Sequence, residues 1–506
     1  MALLPGGIST EEGHGAPRAK GCIRSWKPWT WRTRMGVISG AGNIASLEGI
    51  GAAELQALVG WIINAGNIAS AAAYGSAMVH NADEIWAASP ALADVQAAIA
   101  LASPGDTVRV PAGDGSETWA SNLLVTKGIL LIGPGEDYLT ITGTYTTGIS
   151  NSYIEGYQIG YKPTTPSDDP PFRFSGFKVI FGEGSAGFGI FNDDSTKPLT
   201  KIRIDHCDLS KPGGGGGDMI ISQGHVYGVV DNCDLTGGYF MFRALGNDGA
   251  SWTNQTFTLG TGNNLYYEDN VIHCTYDSCI TEGGSGGRYA FRYNDITFDK
   301  LGGLQMFDAH GNTSASHSST MGVEIYENIL RGPNSDSGGQ LLDHRGGRCV
   351  AFNNTYVGPN PFFQLNPREE ALDSDGPGPA FSPDGQPQHV SGSYYFNNKS
   401  GTTLGGATVI TIDKYVLNGQ VNYGGLIGLV PQWNIDCWRH TTPFTGASGV
   451  GVGLLSARPA TCTVGVGYWA TDESKLYRCS ATNVWTLYYT PYAYPHPHRS
   501  DPVLGD

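Results

Sequence analysis

The chain has 506 residues, a formal net charge of −16, 15% charged residues, 73 glycines and 11% aromatics. The acidic balance excludes a sequence-independent nucleic-acid binder, which needs a basic face. The aromatic content excludes wholesale disorder, and abundant glycine with few charges suits a β-rich chain with many tight turns.

The opening stretch, "MALLPGGISTEEGHG", lacks the basic start and apolar core of a secretory signal, and a basic stretch, "RAKGCIRSWKPWTWRTRM", follows it. Residues 55–82 carry no formal charge and are long enough to cross a bilayer, but Gly, Asn and Ser interrupt them. A small-residue packing or attachment region is the expectation there, with a membrane span the lesser alternative. Residues 1–88 are read as an accessory or attachment segment.

In "ADVQAAIALASPGDTVRVPAG", residues 93–113, Val95, Ala98, Ile99 and Ala102 share one helical face. "SPGD" ends that helix and "TVRVPAG" alternates as a strand. A helix laid across the first turn of a coil shields an otherwise open sheet end. Further on, short β-branched or aromatic runs end in a polar pair at Asn232, Asn270, Asn294, Asn328, Asn354 and Asn398, with His206 in the same slot. The intervals run from 24 to 44 residues, enough for one coil each with loops of variable size. Asn tolerates the left-handed backbone of a sharp turn, and stacked amides can bond along an axis. Hairpins in a sandwich are the alternative, but their strands recur roughly every 8–12 residues.

The stretches "DVQAAIALASPGDTVRVPAG" and "VTKGILLIG" resemble the opening of right-handed parallel β-helix proteins of the pectate-lyase-like superfamily, over about residues 90 to 400. The resemblance implies an all-β fold: a three-faced parallel solenoid over 89–415 with an N-terminal helical cap. A C-terminal cap with a small aromatic β module would occupy 416–506. Such coils are often extracellular or viral and handle polysaccharides, but the motifs are specific to the fold and identify no catalytic residue.

Charged residues then end apolar runs at a steady distance from each turn. Arg243, Glu282, Asp308 and Asp343 lie 11 to 15 residues after Asn232, Asn270, Asn294 and Asn328. Stacked turns put these four near one column, with neighbouring rungs ~4.8 Å apart. Asp308 and Asp343 then face each other, with His310 and Arg345 two residues on and on the same strand face. Paired carboxylates ~5 Å apart suit a retaining glycosidase, and ~6.5–9.5 Å an inverting one. A Ca²⁺ ion held by Asp308, Asp343 and Glu282 would instead acidify a uronate, with Arg345 or His310 as elimination base. His310 and Arg345 could equally bind an acidic sugar without reaction. The bland alternative is a pair of turns with surface ion pairs of little consequence.

Arg288 and Arg348, in the matched "GGRYAFRYN" and "GGRCVAFNN", read as a ladder ordering the loops or as further substrate contacts. Glu324 is a weaker candidate on an adjoining face. His273, Cys274, Asp277 and Cys279 match no common zinc spacing.

Residues from about 365 to 390, rich in Pro, Gly and acid, read as a long loop. Of nine cysteines, Cys207 and Cys233 read as a stacked core pair, and Cys462 with Cys479 as a disulfide. In the last segment Tyr468, Trp469, Tyr477 and Trp485 either stack on sugar faces or fill the core of a small cap. "YPHPHRSD" is expected to run extended, and a metal role for His496 and His498 lacks further ligands.

The expectation is a protein of the extracellular space, cell surface or virion that recognises a polysaccharide or cell-surface glycan. Whether it is an enzyme, either lyase or hydrolase, stays open. A phage tailspike or receptor-binding protein, expected as a homotrimer, and a purely structural or adhesive surface protein are the alternatives.

Overall fold

The computed structural model describes residues 80–81, 84–145, 156–182, 186–212, 217–237, 240–275, 280–299, 306–311, 318–332, 341–358, 365–368, 389–410 and 431–505. The basic N-terminal stretch, most of 55–82, most of the 365–390 loop, and Asp277 and Cys279 lie outside these residues. Among the described residues no helix is long and apolar enough to cross a membrane.

The chain winds as a parallel β-helix. Among the described residues its strands form three sheets of 13, 11 and 9 members, and between Thr107 and Pro367 each turn of the coil adds one strand to each sheet. Neighbours pair in parallel except at Glu84–Trp86 with His80–Asn81 and at Lys399–Gly401 with Thr408–Val409. Interior columns are apolar and continuous. In the second sheet Ile141, Val179, Leu209, Leu235, Ile272, Ile296, Leu330 and Tyr356 stack in register. All belong to one core with Phe174, Ile204, Phe291 and Ile325 of the first sheet and Ile159, Phe242 and Phe307 of the third. Helix Leu92–Leu101 closes the N-terminal end, burying Val95, Ala98 and Ile99 in the same core. The first sheet takes in Glu84–Trp86 and Cys437–Arg439, so the coil reaches beyond the 89–415 expected from sequence.

The asparagines do form a ladder, one residue out of step with the sequence reading at its start. Asn270, Asn294, Asn328, Asn354 and Asn398 are buried, and each Nδ2 donates to the next Oδ1 at 2.8–3.1 Å. The same oxygens accept backbone N–H groups from the preceding rung, as Asn294 N donates to Asn328 Oδ1 at 3.0 Å. The left-handed residue is the one before each ladder asparagine: Asp269, Tyr293, Glu327, Asn353 and Asn397 have φ between 52° and 59°. Asn232 and His206, with φ of 51° and 50°, occupy that turn position and not the ladder. Cys233 and Cys207 take the ladder slot beneath, where Cys233 N donates to Asn270 Oδ1 at 3.0 Å. Both are free and buried, a stacked core pair. Asn suits either position, so "VDNC" and "EDN" look alike although their asparagines do different work.

The C-terminal module is a four-stranded sheet of Val450–Gly453, Gly467–Ala470, Lys475–Ala481 and Val484–Tyr489, crosslinked by Cys462–Cys479. It packs on the outer face of the first sheet. Trp469, only 4% exposed, lies 4.8 Å from the ring of Phe352 and 5.3 Å from that of Phe396. Glu324 is sealed beneath the module, accepting from Tyr489 Oη, Asn264 Nδ2 and Gly260 N. The tail then runs back down the coil. Arg292 donates to the carbonyls of Tyr492 and Ala493, and Arg203 to that of Leu504. The "YPHPHRSD" stretch is therefore packed, with a 3₁₀ turn at Pro497–Ser500, His496 3% exposed and His496 N donating to Glu268 Oε1.

Replacing Asn328 by Ala leaves Asn294 N–H without its acceptor and takes one partner from Asn294 Nδ2, which keeps the Tyr267 and Arg292 carbonyls, and one from the Phe291 carbonyl. Orphaned buried polar groups cost about 1–3 kcal/mol each. Asn328→Ala should therefore lower the unfolding free energy by about 1–3 kcal/mol in a denaturant melt. A loss below about 0.5 kcal/mol, the level of an ordinary surface change, would remove the ladder from the account of stability.

Candidate functional site

The third sheet carries a charged strip on its outer face. Its register aligns Arg243 with Glu282, Glu282 with Asp308, Asp308 with Asp343, and Asp343 with Asn366. The two similar stretches around Asp308 and Asp343 are thus consecutive rungs of one coil. A second column, offset by two residues and so on the same face, holds Gly284, His310, Arg345 and Arg368. The i, i+2 rule repeats on three rungs: Asp308 with His310, Asp343 with Arg345, Asn366 with Arg368.

Like charges on adjacent rungs are tolerable because guanidinium groups interleave them. Arg345 clamps Asp308 through both Nε, at 3.0 Å, and Nη2, and its Nε lies 3.4 Å from Asp343 Oδ2. Arg368 clamps Asp343 with bonds of 2.8 and 2.7 Å, and Asn366 Nδ2 adds a third at 3.1 Å. Arg243 bridges Glu282 and Asp218 at 3.3 Å each, stacked 4.2 Å over Phe240. His310 Nε2 stands 3.2 Å from Asp308 Oδ2 and 3.9 Å from Glu282 Oε1.

Asp308, Asp343 and Arg345 are at most 6% exposed, so this is not a set of solvated surface turns. Solvent reaches the side chains of His310 at 31%, Arg368 at 18% and Glu282 at 14%. Burial, only partly offset by Arg243 and His310, pushes the Glu282 carboxyl above its ordinary range. Burial also raises Asp343 against the pull of Arg368 and Arg345. His344 faces inward, where burial pushes it down to about 4.

Two chemical roles expected from the sequence are not what this geometry supplies. Ca²⁺ seeks six to eight oxygen ligands, but both oxygens of Asp308 and of Asp343 already accept from guanidinium groups. Glu282, Asp308 and His310 do place ligand atoms within 4.8 Å of one another. That set has one imidazole and a carboxylate already clamped, and it is a poor match to Ca²⁺. Arg345, paired on two sides and buried, is a clamp for carboxylates and not an elimination base.

The remaining sequence candidates are scattered. Arg288 and Arg348 share a column at the start of the first sheet with Gly322 between them. Arg288 is 5% exposed, whereas Arg348 is open and lines a cleft of about 350 Å³. Trp252, Asn254, Gln255, Phe257 and Ser391 line the same cleft. Trp469 is core and presents no face to a sugar. Trp485 is half-buried, its Nε1 donating to the Pro459 carbonyl at 2.8 Å. His273 pairs with Asp299 at 2.8 Å. Sequence reasoning missed Arg368, although its two-residue offset from Asn366 was visible. It also missed the 246–264 insert that walls the cleft, which carries no charge pattern. No protein-family model matches the chain, nor does any curated protein or solved structure.

Removing one partner of a buried ion pair costs about 3–5 kcal/mol. Arg345→Met should destabilise by that order at neutral pH, because buried Asp308 loses its bidentate guanidinium partner. Adding Asp308→Asn removes the charge that Arg345 serves, so in denaturant melts the double variant should lose less stability than Arg345→Met alone. A double variant no more stable than Arg345→Met would mean that packing, not charge, was lost.

Glu282 has a raised folded value, so its contribution to stability is fullest below the ordinary glutamate range. It is lost as pH rises through the raised value. Glu282→Gln should flatten the stability–pH curve just above the ordinary range, and an unchanged curve would contradict the shift.

Proposed function

We propose that this chain recognises an extracellular polysaccharide laid along the outer face of the third sheet. It would do so as a β-helix protein of the pectate-lyase-like type on a cell surface or virion. The observation that carries this reading is the build of the strip. Glu282, His310 and Arg368 keep solvent access, while Asp308, Asp343 and Arg345 behind them are buried and mutually neutralised. Rungs ~4.8 Å apart repeat polar groups along the coil axis, which suits a polymer of repeating units bearing hydroxyl and acid groups. Clamped side chains lose little freedom on binding. The corner cleft adds an indole, a phenyl ring, two amides and Arg348, a set that fits sugar faces and hydroxyls.

Cleavage is the second reading, favoured by one pairing. Glu282, whose protonated form burial favours, neighbours the guanidinium-clamped Asp308 on the next rung. Carboxyl groups about 5–5.5 Å apart belong to retaining hydrolases. In that step Glu282 would give its proton to the glycosidic oxygen as its bond to the anomeric carbon breaks. Asp308, released from Arg345, would bond that carbon, and water deprotonated by Glu282 would then hydrolyse the ester.

A panel of neutral and acidic polysaccharides tests both readings, with and without Ca²⁺. Retention of the full chain on at least one immobilised glycan is expected, independent of Ca²⁺ and weakened at least tenfold by Glu282→Gln combined with His310→Ala. New reducing ends that disappear in Glu282→Gln would establish hydrolysis. Ends absorbing in the near ultraviolet would establish elimination and overturn the hydrolytic assignment. Retention that survives the paired substitution but is lost in Arg348→Ala would move the surface to the corner cleft. Retention on no glycan would leave a structural or adhesive role. A trimer by light scattering would favour a virion spike.

A further inference from the structure

Beneath the insert lies a second, smaller cavity, distinct from the strip and from the cleft. It has room for about one water-sized body, about 10 Å³, and is lined by His225, Tyr227 and Arg288 with backbone from Gly224, Gly286 and Gly287. These three side chains are 1%, 2% and 5% exposed. Each carries a buried polar atom without a hydrogen-bond partner: His225 Nδ1, Tyr227 Oη and Arg288 Nη2.

The hydrogen-bond network constrains their polarity. Ser251 Oγ already accepts from Asn247 N at 2.7 Å and lies 3.0 Å from His225 Nε2. Oγ keeps a second lone pair and its own hydrogen, so Nε2 can accept from it or donate to it; where the serine donates, the ring proton sits on Nδ1. Burial pushes His225 down to about 4, so this is the neutral ring at pH 7. Arg288 Nη2 can only donate, and Tyr227 Oη can turn its hydrogen inward. Arg288 Nη1 donates to the Thr256 carbonyl at 3.3 Å, and its guanidinium sits 5.2 Å from the Tyr227 ring and 5.4 Å from the Phe257 ring. Among the described residues Tyr227 acts on its charge and no carboxylate does.

We propose that this cavity binds one small inorganic anion of halide size, chloride in the first instance, through Arg288 Nη2–H, Tyr227 Oη–H and His225 Nδ1–H. Water is the poorer occupant because it can satisfy the hydrogen bonds but brings no charge to the buried guanidinium. An anion takes all three donors and neutralises a buried guanidinium that has no carboxylate acting on it among the described residues. The volume excludes sulfate, phosphate and a sugar carboxylate. The bound ion would tie the coil to the insert through Ser251 and Thr256, and that insert supplies Trp252 and Phe257 to the corner cleft.

The test compares thermal unfolding of the full chain in sodium chloride and in sodium gluconate at equal ionic strength. Gluconate is too large to enter. A saturable rise in the unfolding midpoint with chloride is expected, shifted to several-fold higher chloride in Tyr227→Phe and absent in Arg288→Met. Crystals grown with bromide should show an anomalous peak within hydrogen-bond reach of Arg288 Nη2 and Tyr227 Oη. That measurement decides the matter even if Arg288→Met does not fold. Superimposable chloride and gluconate curves, or a water without anomalous signal at the site, would overturn the proposal.

Discussion

In-register parallel pairing between successive rungs is the constraint on which everything else in this molecule rests. Coil strands of mostly three to six residues cannot stand alone, and each is held by N–H and C=O groups of the rungs on either side. Register is enforced at one corner, where a left-handed residue turns the chain and the next residue's amide bonds both to the next amide and to the preceding backbone. A slip of one residue there would turn the apolar columns outward and bring the charged strip into the core.

That register turns sequence distance into contact. Asp308 and Asp343 are 35 positions apart in the chain and one strand spacing apart in space. Burying such a pair without compensation would be prohibitive, and guanidinium groups offset by two residues supply the compensation. Arginine suits the place because its planar fork engages both carboxylate oxygens while its second edge reaches a neighbouring rung. The strip is thus a buried alternation of charge with a partly exposed rim, and its recognition chemistry belongs to the rim.

The first sheet uses the same device to a different end. Arg173 with Asp205, Arg203 with Asp231, and Arg292 with Glu268 pair across its outer face. The tail covers them, its carbonyls taking the remaining guanidinium hydrogens and Arg499 reaching Asp231, Glu268 and Asp269. Two faces of one coil carry comparable ion-pair ladders. One is sealed by the chain's own end, and the other keeps Glu282, His310 and Arg368 open to solvent.

Local pattern in the sequence was enough to determine the coil, its helical cap, the Cys462–Cys479 crosslink and the column from Arg243 to Asp343. Apolar periodicity and turn chemistry act over a few residues and can be read without knowing what packs where. The same locality misassigned Asn232, since asparagine serves both the turn and the ladder, and it hid Arg368 at the edge of a loop-like composition. Only the tertiary structure decided which outer face is covered, that Trp469 is core, and that Asp308 and Asp343 are already engaged by arginines. Those outcomes depend on contacts such as Arg292 with Tyr492 and Ala493, some 200 residues apart, and no local signal in a strand records what will later lie across it.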